Sequence, residues 1–276
     1  MLKFSIKNNN LHIGGINQFS LPKTLDCGQA FRWKEKENGI WCGVAKDKYL
    51  ELEIMNDTLI LYNTTLLDYK NFWENYFDLK TDYMQIISEI SPNPILKEAA
   101  EIGNGIRILR QDSWEALCSF IFSQNNNIER IKGIIERLCE NFGENLGNGF
   151  YSFPTAQKIA SLTVEDLDVL RSGFRAKYAI DAAKKVVSGE IDLDKIAKLP
   201  IDEARSELIK IYGVGEKVAD CTLLFGMYRV DAFPRDVWIK RAMEKLFPNG
   251  LPEAAIKHAG IVQQYLFYYA RYKKLL

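Results

Sequence analysis

The first third of the chain alternates in twos. KFSIKN (3–8) and LHIGGI (11–16) set apolar and polar residues on opposite faces around an Asn-rich turn, as strands do. After Phe31 the stretch RWKEKENGIWCGVAKDKYLELEIMNDTLILYNTT adds three or four strands. Turn signals at Glu37-Asn38-Gly39, Lys46-Asp47-Lys48 and Asn56-Asp57 cut it. Connections this short join antiparallel neighbours, so a meander is expected. From Leu66 the period changes: LLDYKNFWENYFDL carries apolar residues at 66, 67, 69, 72, 73, 76, 77 and 79, a helical stripe. Ser91-Pro92-Asn93-Pro94 then interrupts the chain. Helical patterns follow at 113–123, 127–142, 164–171, 175–188, 202–211, 216–226, 235–247 and 252–272. Asp112 and Ser113 mark the start of the first, and Thr163 with Asp166 that of the third. The expected fold is α+β: an N-terminal antiparallel β/α domain over 1–100 packed on an all-helical body over 101–276. The boundary falls near 92–110, and the last helix is expected to pack back toward the N-terminal part.

Composition changes this picture little. At 276 residues, 47% hydrophobic and 26% charged, the chain has the balance of an ordinary globular protein with a substantial core. The first residues, MLKFSIKNNNLHIGG, lack the apolar run of a signal peptide, and no stretch approaches 18 uninterrupted apolar residues. A cytoplasmic protein without a membrane span is expected. Five cysteines (Cys27, Cys42, Cys118, Cys139, Cys221) have no metal-ligand spacing and read as free thiols. Net charge is zero, with a slight positive excess after residue 200. The end, YLFYYARYKKLL, mixes Arg271, Lys273 and Lys274 with tyrosines. It reads equally as a DNA-facing edge or as an amphipathic helix with a solvated basic end.

Candidate chemistry concentrates in LIKIYGVGEKVADCTLLFGMYRVDAFPRDVWIKR (208–241). Two helical patterns meet at Gly213-Val214-Gly215, a hairpin so short that it needs glycine's backbone freedom. Amides left unpaired at the start of the second helix offer a seat for a phosphate. Lys217 stands in the first turn of that helix, before the apolar run Val218, Ala219, Cys221, Leu223, Leu224, Phe225. A cation there is electrostatically misplaced, and partial burial disfavours its charge further. Both effects favour the neutral amine that a nucleophile requires. A surface lysine snorkelling over the helix start is the plainer alternative. Asp236 follows Phe233-Pro234-Arg235, nineteen residues on, at the start of another helix. It reads either as a cap or as a carboxylate held against the positive charge that develops on a sugar when an N-glycosidic bond breaks.

Taken together, the helix–GVG–helix, the lysine and the Pro-x-Asp resemble the helix-hairpin-helix DNA glycosylases. GVGxKVADC followed by FPxDV is similar to the 8-oxoguanine DNA glycosylase/AP lyase branch. SFIFSQNNNIERI (119–131) resembles that branch's Asn-rich helix junction. GFRAKY (173–178) resembles its mid-body turn and DCGQAFRW (26–33) its base-pocket strand. The resemblance implies base-excision repair of 8-oxoguanine opposite cytosine, by a monomer acting on double-stranded DNA without a cofactor; the frequent Ile, Lys and Asn point to an AT-rich bacterial genome, and so to a bacterial nucleoid.

Residue by residue, it implies that Lys217 attacks C1′ and forms the Schiff base that leads to strand cleavage, with Asp236 orienting it and stabilising the transition state. Cys221 packs beside the lysine. Asn125 fills the space left by the flipped nucleotide, with Asn126 and Asn127 beside it, capping the helix that begins at Ile128. Arg130 and Arg175 read the orphaned cytosine through its acceptors, and Phe174 stands where the family has a stacking tyrosine. Gly28 offers a carbonyl to N7–H, present on the lesion and absent from guanine, with Gln29 and Phe31 nearby. Gln263 and Phe267 meet the base's edge and face. Gly213, Val214 and Gly215 take the DNA backbone, and the carbonyls of Ile209, Ile211 and Val214 offer a site to a monovalent cation. The chain departs from the pattern twice. Trp238 replaces the histidine two residues after the aspartate in the better-known animal enzymes, and Tyr212 replaces the proline common before GVG.

Two other readings remain open at this level. One is a superfamily glycosylase for a different damaged base, which Lys217 disfavours because purely hydrolytic branches usually lack that lysine. The other is a non-catalytic DNA-binding module, which leaves Pro234-x-Asp236 without a purpose.

Overall fold

The computed structural model describes residues 2–147 and 149–273; Lys274 of the basic C-terminal end lies outside them. Six strands, β1 (Lys3–Lys7), β2 (Asn10–Gly14), β3 (Trp33–Glu35), β4 (Trp41–Ala45), β5 (Lys48–Met55) and β6 (Thr58–Leu61), form one antiparallel sheet in the order β1-β2-β6-β5-β4-β3. Its tight turns are made where expected. Asn8, Asn9, Lys46, Asn56 and Asp57 adopt positive φ, which asparagine and aspartate tolerate better than most residues. Leu11, Ile13, Leu50, Leu52, Leu59 and Leu61 line one buried face. The helical stretch 66–76, which includes a π turn at Tyr69–Trp73, covers them with Tyr69, Trp73 and Tyr76.

A second core occupies the helical body. The helices Tyr83–Ile90 and Pro94–Ile102 belong to that core; neither is among the helical stretches expected above, although Tyr83, Ile86, Ile87 and Ile90 keep helical spacing. Asn93 caps the second of them with Pro94 in its first turn, so the Ser91–Pro94 break is a helix start as well as a stop. The helix Ser113–Ser123 runs through the middle and is buried from Glu115 onward. It lies against the π turn Thr222–Gly226. Gly226 permits this approach, since a Cβ there would sit 2.8 Å from that of Ala116.

Several elements differ from expectation. The 164–171 pattern is a 3-10 turn, Asp166–Leu170, and a small hairpin (β7 Asn145–Gly147, β8 Phe150–Tyr151) interrupts the body. The C-terminal pattern divides into Glu253–Ile256 and Ala259–Tyr272, and the latter packs against Pro94–Ile102. DCGQAFRW is a loop almost to its end, with β3 starting only at Trp33. The cause is partly distant in sequence: Gly28 turns at φ +90°, and the Gln29 side chain is a buried peg. Its amide donates to the carbonyls of Thr24 (2.9 Å) and Arg107 (2.8 Å), and its oxygen accepts from the Leu109 amide (2.9 Å).

The sheet is locked to the body through Asp78, 1% exposed. One carboxylate oxygen accepts from Thr81 Oγ1 (2.7 Å) and twice from Arg110 (2.8 and 3.1 Å). The other accepts from Tyr83 (3.0 Å) and Tyr228 (2.6 Å). Tyr228 stands just beyond the hairpin's second helical stretch, so this latch fixes where that stretch ends.

Candidate active site

Lys217 and Asp236 line one cavity of about 500 Å³, together with Gly28, Phe31, Ser123, Asn126, Asn127, Trp238 and Phe267. The elements that bring them there are far apart in sequence. Lys217 is in the first turn of the helix Glu216–Cys221, whose N-cap is Gly215. Gly213 takes φ +81° and presses on the Tyr178 ring, where a Cβ would stand 2.5 Å away. Only glycine fits that contact. Ile211 accepts the Val214 amide (3.0 Å) and closes the turn. No group of three or more His, Cys, Asp or Glu among the described residues could hold a metal. A cation at the hairpin would therefore rest on backbone carbonyls.

The Lys217 amine has no carboxylate within ion-pair distance among the described residues. Its Nζ donates to Ser123 Oγ (3.1 Å) and lies 5.3 Å from the centre of the Phe120 ring. Ser123 is buried at the end of its helix and gives its own proton to the Phe120 carbonyl (2.8 Å). The hydroxyl therefore faces the lysine as an acceptor only. Cys221, one turn on, is buried, and burial pushes its thiol up to about 11. It stays neutral and adds no anion beside the amine.

Asp236 is the N-cap of the helix Val237–Leu246, one place before the first turn in which it was expected. Its Oδ1 accepts the Ile239 amide (2.8 Å), while Oδ2 has no hydrogen bond among the described residues. Cap and cavity carboxylate are thus the same group. Trp238 is 41% exposed on the rim.

A deeper recess of about 50 Å³ opens behind, lined by Cys27, Gly28, Lys217, Cys221, Asp236, Gln263, Gln264 and Phe267. Gln263 donates to the Pro234 carbonyl (3.2 Å) and accepts from Gln264 (2.8 Å), whose oxygen accepts from the Cys27 thiol (3.3 Å). Gln264 went unnoticed in the sequence because its neighbour Gln263 carries the motif match. Gln29, expected at the pocket, is held elsewhere by the bonds given above. Phe31 packs edge-on against Phe120 (5.7 Å) and separates the cavity from another of about 340 Å³ that contains neither Lys217 nor Asp236. Asp26, bonded to Lys132 (2.6 Å), ties the Gly28 loop to the helix Ile128–Phe142.

The Asn-rich junction divides its work. Asn126 donates to the Phe122 carbonyl (2.8 Å) and finishes the helix before it. Asn127 alone caps the helix after it by accepting the Arg130 amide (2.9 Å). Asn125, which precedes both, is exposed and in the left-handed region, φ +50°. Arg130 is exposed, but Arg175 is only 5% exposed. Its guanidinium donates to the carbonyls of Gln124 (2.6 Å), Ser172 (3.1 Å) and Asn125 (3.3 Å), so the structure uses it to hold the junction rather than presenting it to solvent. Phe174 is 46% exposed with Arg175 over its ring at 4.4 Å.

Known proteins share this fold. The family described as 8-oxoguanine DNA glycosylase, N-terminal domain, matches residues 14–117. The HhH-GPD superfamily of base excision DNA repair proteins matches 118–258. An N-glycosylase/DNA lyase of Saccharomyces cerevisiae is 33% identical over 83% of this chain and 68% of its own length. The 8-oxoguanine glycosylase/lyase of Clostridium acetobutylicum, solved with duplex DNA containing cytosine opposite 8-oxoguanine, superposes with a TM-score of 0.90. Its identity is 39%, over 99% of this chain and 98% of that one. MBOgg1 in complex with a low affinity DNA ligand gives a TM-score of 0.92 at 45% identity over 99% of both chains. The chain belongs to the 8-oxoguanine DNA glycosylase family, within the HhH-GPD superfamily of base excision DNA repair proteins.

Proposed function

We propose that this protein, acting as a monomer on duplex DNA in the bacterial nucleoid, excises 8-oxoguanine and then cleaves the strand by β-elimination through Lys217. The observation that carries the reading is the shared cavity of Lys217 and Asp236, in which the lysine amine meets a hydroxyl acceptor and has no carboxylate at ion-pair distance among the described residues. The target nucleotide is flipped out of the stack, and Asn125, projecting from the junction, fills its place. The Lys217 amine, on giving up a proton, attacks C1′; the C1′–N9 bond breaks, and its electron pair leaves with the base, which takes up that proton. Asp236 stabilises the positive charge on the sugar during this step. Ser123 holds one N–H of the amine and leaves its lone pair for C1′. The sugar then opens to a protonated Schiff base. Loss of a C2′ proton sends electrons toward the imine, and the C3′–O bond breaks with departure of the phosphate.

The lesion is distinguished by the Gly28 carbonyl, which accepts N7–H from 8-oxoguanine and opposes the N7 lone pair of guanine. Gln263 meets the base's edge and Phe267 its face, with Phe31 and Cys221 completing the walls. Arg130 and Arg175 read the opposite cytosine, Arg175 by exchanging the Gln124 and Asn125 carbonyls for cytosine's acceptors. The hairpin residues Gly213, Val214 and Gly215 take the lesion strand's phosphates. The carbonyls of Ile209, Ile211 and Val214 are the donors available to a bridging monovalent cation.

Borohydride trapping on a duplex with 8-oxoguanine opposite cytosine tests the reading. Wild type should yield a covalent adduct and Lys217→Gln none. An adduct with the variant overturns the lysine's role. Release of 3-methyladenine in preference to 8-oxoguanine would overturn the lesion assignment. Equal excision opposite all four bases in single turnover would overturn the roles of Arg130 and Arg175.

A further inference from the structure

Tyr212, which replaces the proline common before the hairpin glycines, has a structural use that a proline could not serve. Its amide donates to Asp181 Oδ2 (2.8 Å), a bond that needs an N–H. Its ring, 56% exposed, meets Tyr178 edge-on at 5.0 Å and 87°. Tyr178 in turn meets Phe174 at 5.5 Å and carries the hairpin's Gly213 on its face. A continuous aromatic ladder, Phe174–Tyr178–Tyr212, thus runs along the surface from the Arg175-held junction to the hairpin.

Lys177 stands over this ladder. Its Nζ lies 5.5 Å from the Tyr178 ring centre and 5.4 Å from that of Tyr212. The carboxylate one turn along its helix, Asp181, is occupied by the Tyr212 amide and by Lys185 (3.4 Å), and Lys177 forms no ion pair among the described residues. An exposed ammonium held between two rings, with no acid to neutralise it, is directed outward and available to an anion. Neighbouring Arg130 and Arg171 are also exposed and without ion pairs among the described residues. In a chain of zero net charge, this local excess is a feature of placement rather than of composition.

We propose that the Lys177–Tyr178–Tyr212 cage is a further DNA contact, in which Lys177 neutralises one backbone phosphate of the duplex beside the hairpin. The occupant follows from continuity: the ladder joins the junction to the hairpin, so a duplex lying on both must cross it. The inference rests on the reading that the chain binds duplex DNA, and it concerns affinity rather than chemistry.

Each phosphate neutralised contributes about 0.9 to the slope of log affinity against log salt. We would measure binding of the full chain to an undamaged duplex between 50 and 200 mM NaCl. Lys177→Gln should reduce the slope by about 0.9 and weaken binding about tenfold at 0.1 M salt. Tyr212→Leu, which keeps the charge and removes one wall, should weaken binding about two- to fivefold at an unchanged slope. Lys97→Gln changes the net charge equally on an exposed helix elsewhere and should leave the slope alone. An unchanged slope in Lys177→Gln, or an equal loss in Lys97→Gln, sinks the phosphate contact. Wild-type affinity in Tyr212→Leu sinks the cage. A wild type that binds no duplex overturns the functional reading itself, whereas the other failures leave it intact.

Discussion

Asp78 and Asp236 are both carboxylates where distant parts of the chain converge, yet their surroundings are opposite. Asp78 is enclosed and accepts five hydrogen bonds from four side chains, so nothing of it remains for another partner. Asp236 gives one oxygen to the helix it caps and keeps the other toward the cavity. The same holds for the cations: Arg110 is engaged by Asp78, while Lys217 donates to the Ser123 hydroxyl and forms no ion pair among the described residues. A saturated polar cluster stabilises a fold, and an incompletely satisfied one is what binding and catalysis require.

This contrast can be broken by mutation. The largest expected effect is on the saturated side. Asp78→Ala strands Arg110, Tyr83 and Tyr228 and should cost about 3–5 kcal/mol. The thermal midpoint should fall on the order of 10 °C, with trapping per folded molecule retained. A midpoint within 2 °C of wild type, on the order of 1 kcal/mol or less, would show that the latch is dispensable. Next, Asp236→Asn keeps a capping oxygen while removing the charge. Excision should fall about 10²–10³-fold with little change in unfolding. Loss of stability without loss of rate would reverse the roles assigned to the two aspartates.

Gly213→Ala should cost about 1–3 kcal/mol of backbone strain and also push the Tyr178 ring, so duplex affinity should drop along with stability. Affinity like that of wild type would mean that the hairpin does not need its tight seat. The smallest effect belongs to Ser123→Ala, which removes a single acceptor from Lys217. The net worth of one hydrogen bond is about 1 kcal/mol, so trapping should slow about fivefold, with Ser123→Thr closer to wild type. No change in trapping rate would leave the lysine without a positioning partner.

The sequence was most legible where the cause is local. The strand–turn alternation, the caps at Asp112 and Asn127 and the GVG hairpin all declare themselves within a few residues. The motif spacing also named the cavity's two principal side chains. Features with long-range causes stayed hidden. Ser123 meets Lys217 across ninety-four positions, and nothing near it marks that contact. The loop at Gly28 resembles a strand until Gln29 is found fastened to Thr24, Arg107 and Leu109. The burial of Arg175 is likewise invisible in sequence: three backbone carbonyls hold it, and the cytosine-reading role proposed for it requires two of them to be released.

The recess behind Phe267 has a kinetic consequence. At about 50 Å³ it is much smaller than the adjoining cavity of about 500 Å³, so a base that is to reach Gln263 has to widen it. If the open form is a fraction of the population, apparent affinity for any extrahelical base falls by that same fraction. The penalty is blind to identity, since guanine and its oxidised form face it equally. On the proposed function, discrimination would then come after opening, from the contacts that a base makes once it is inside.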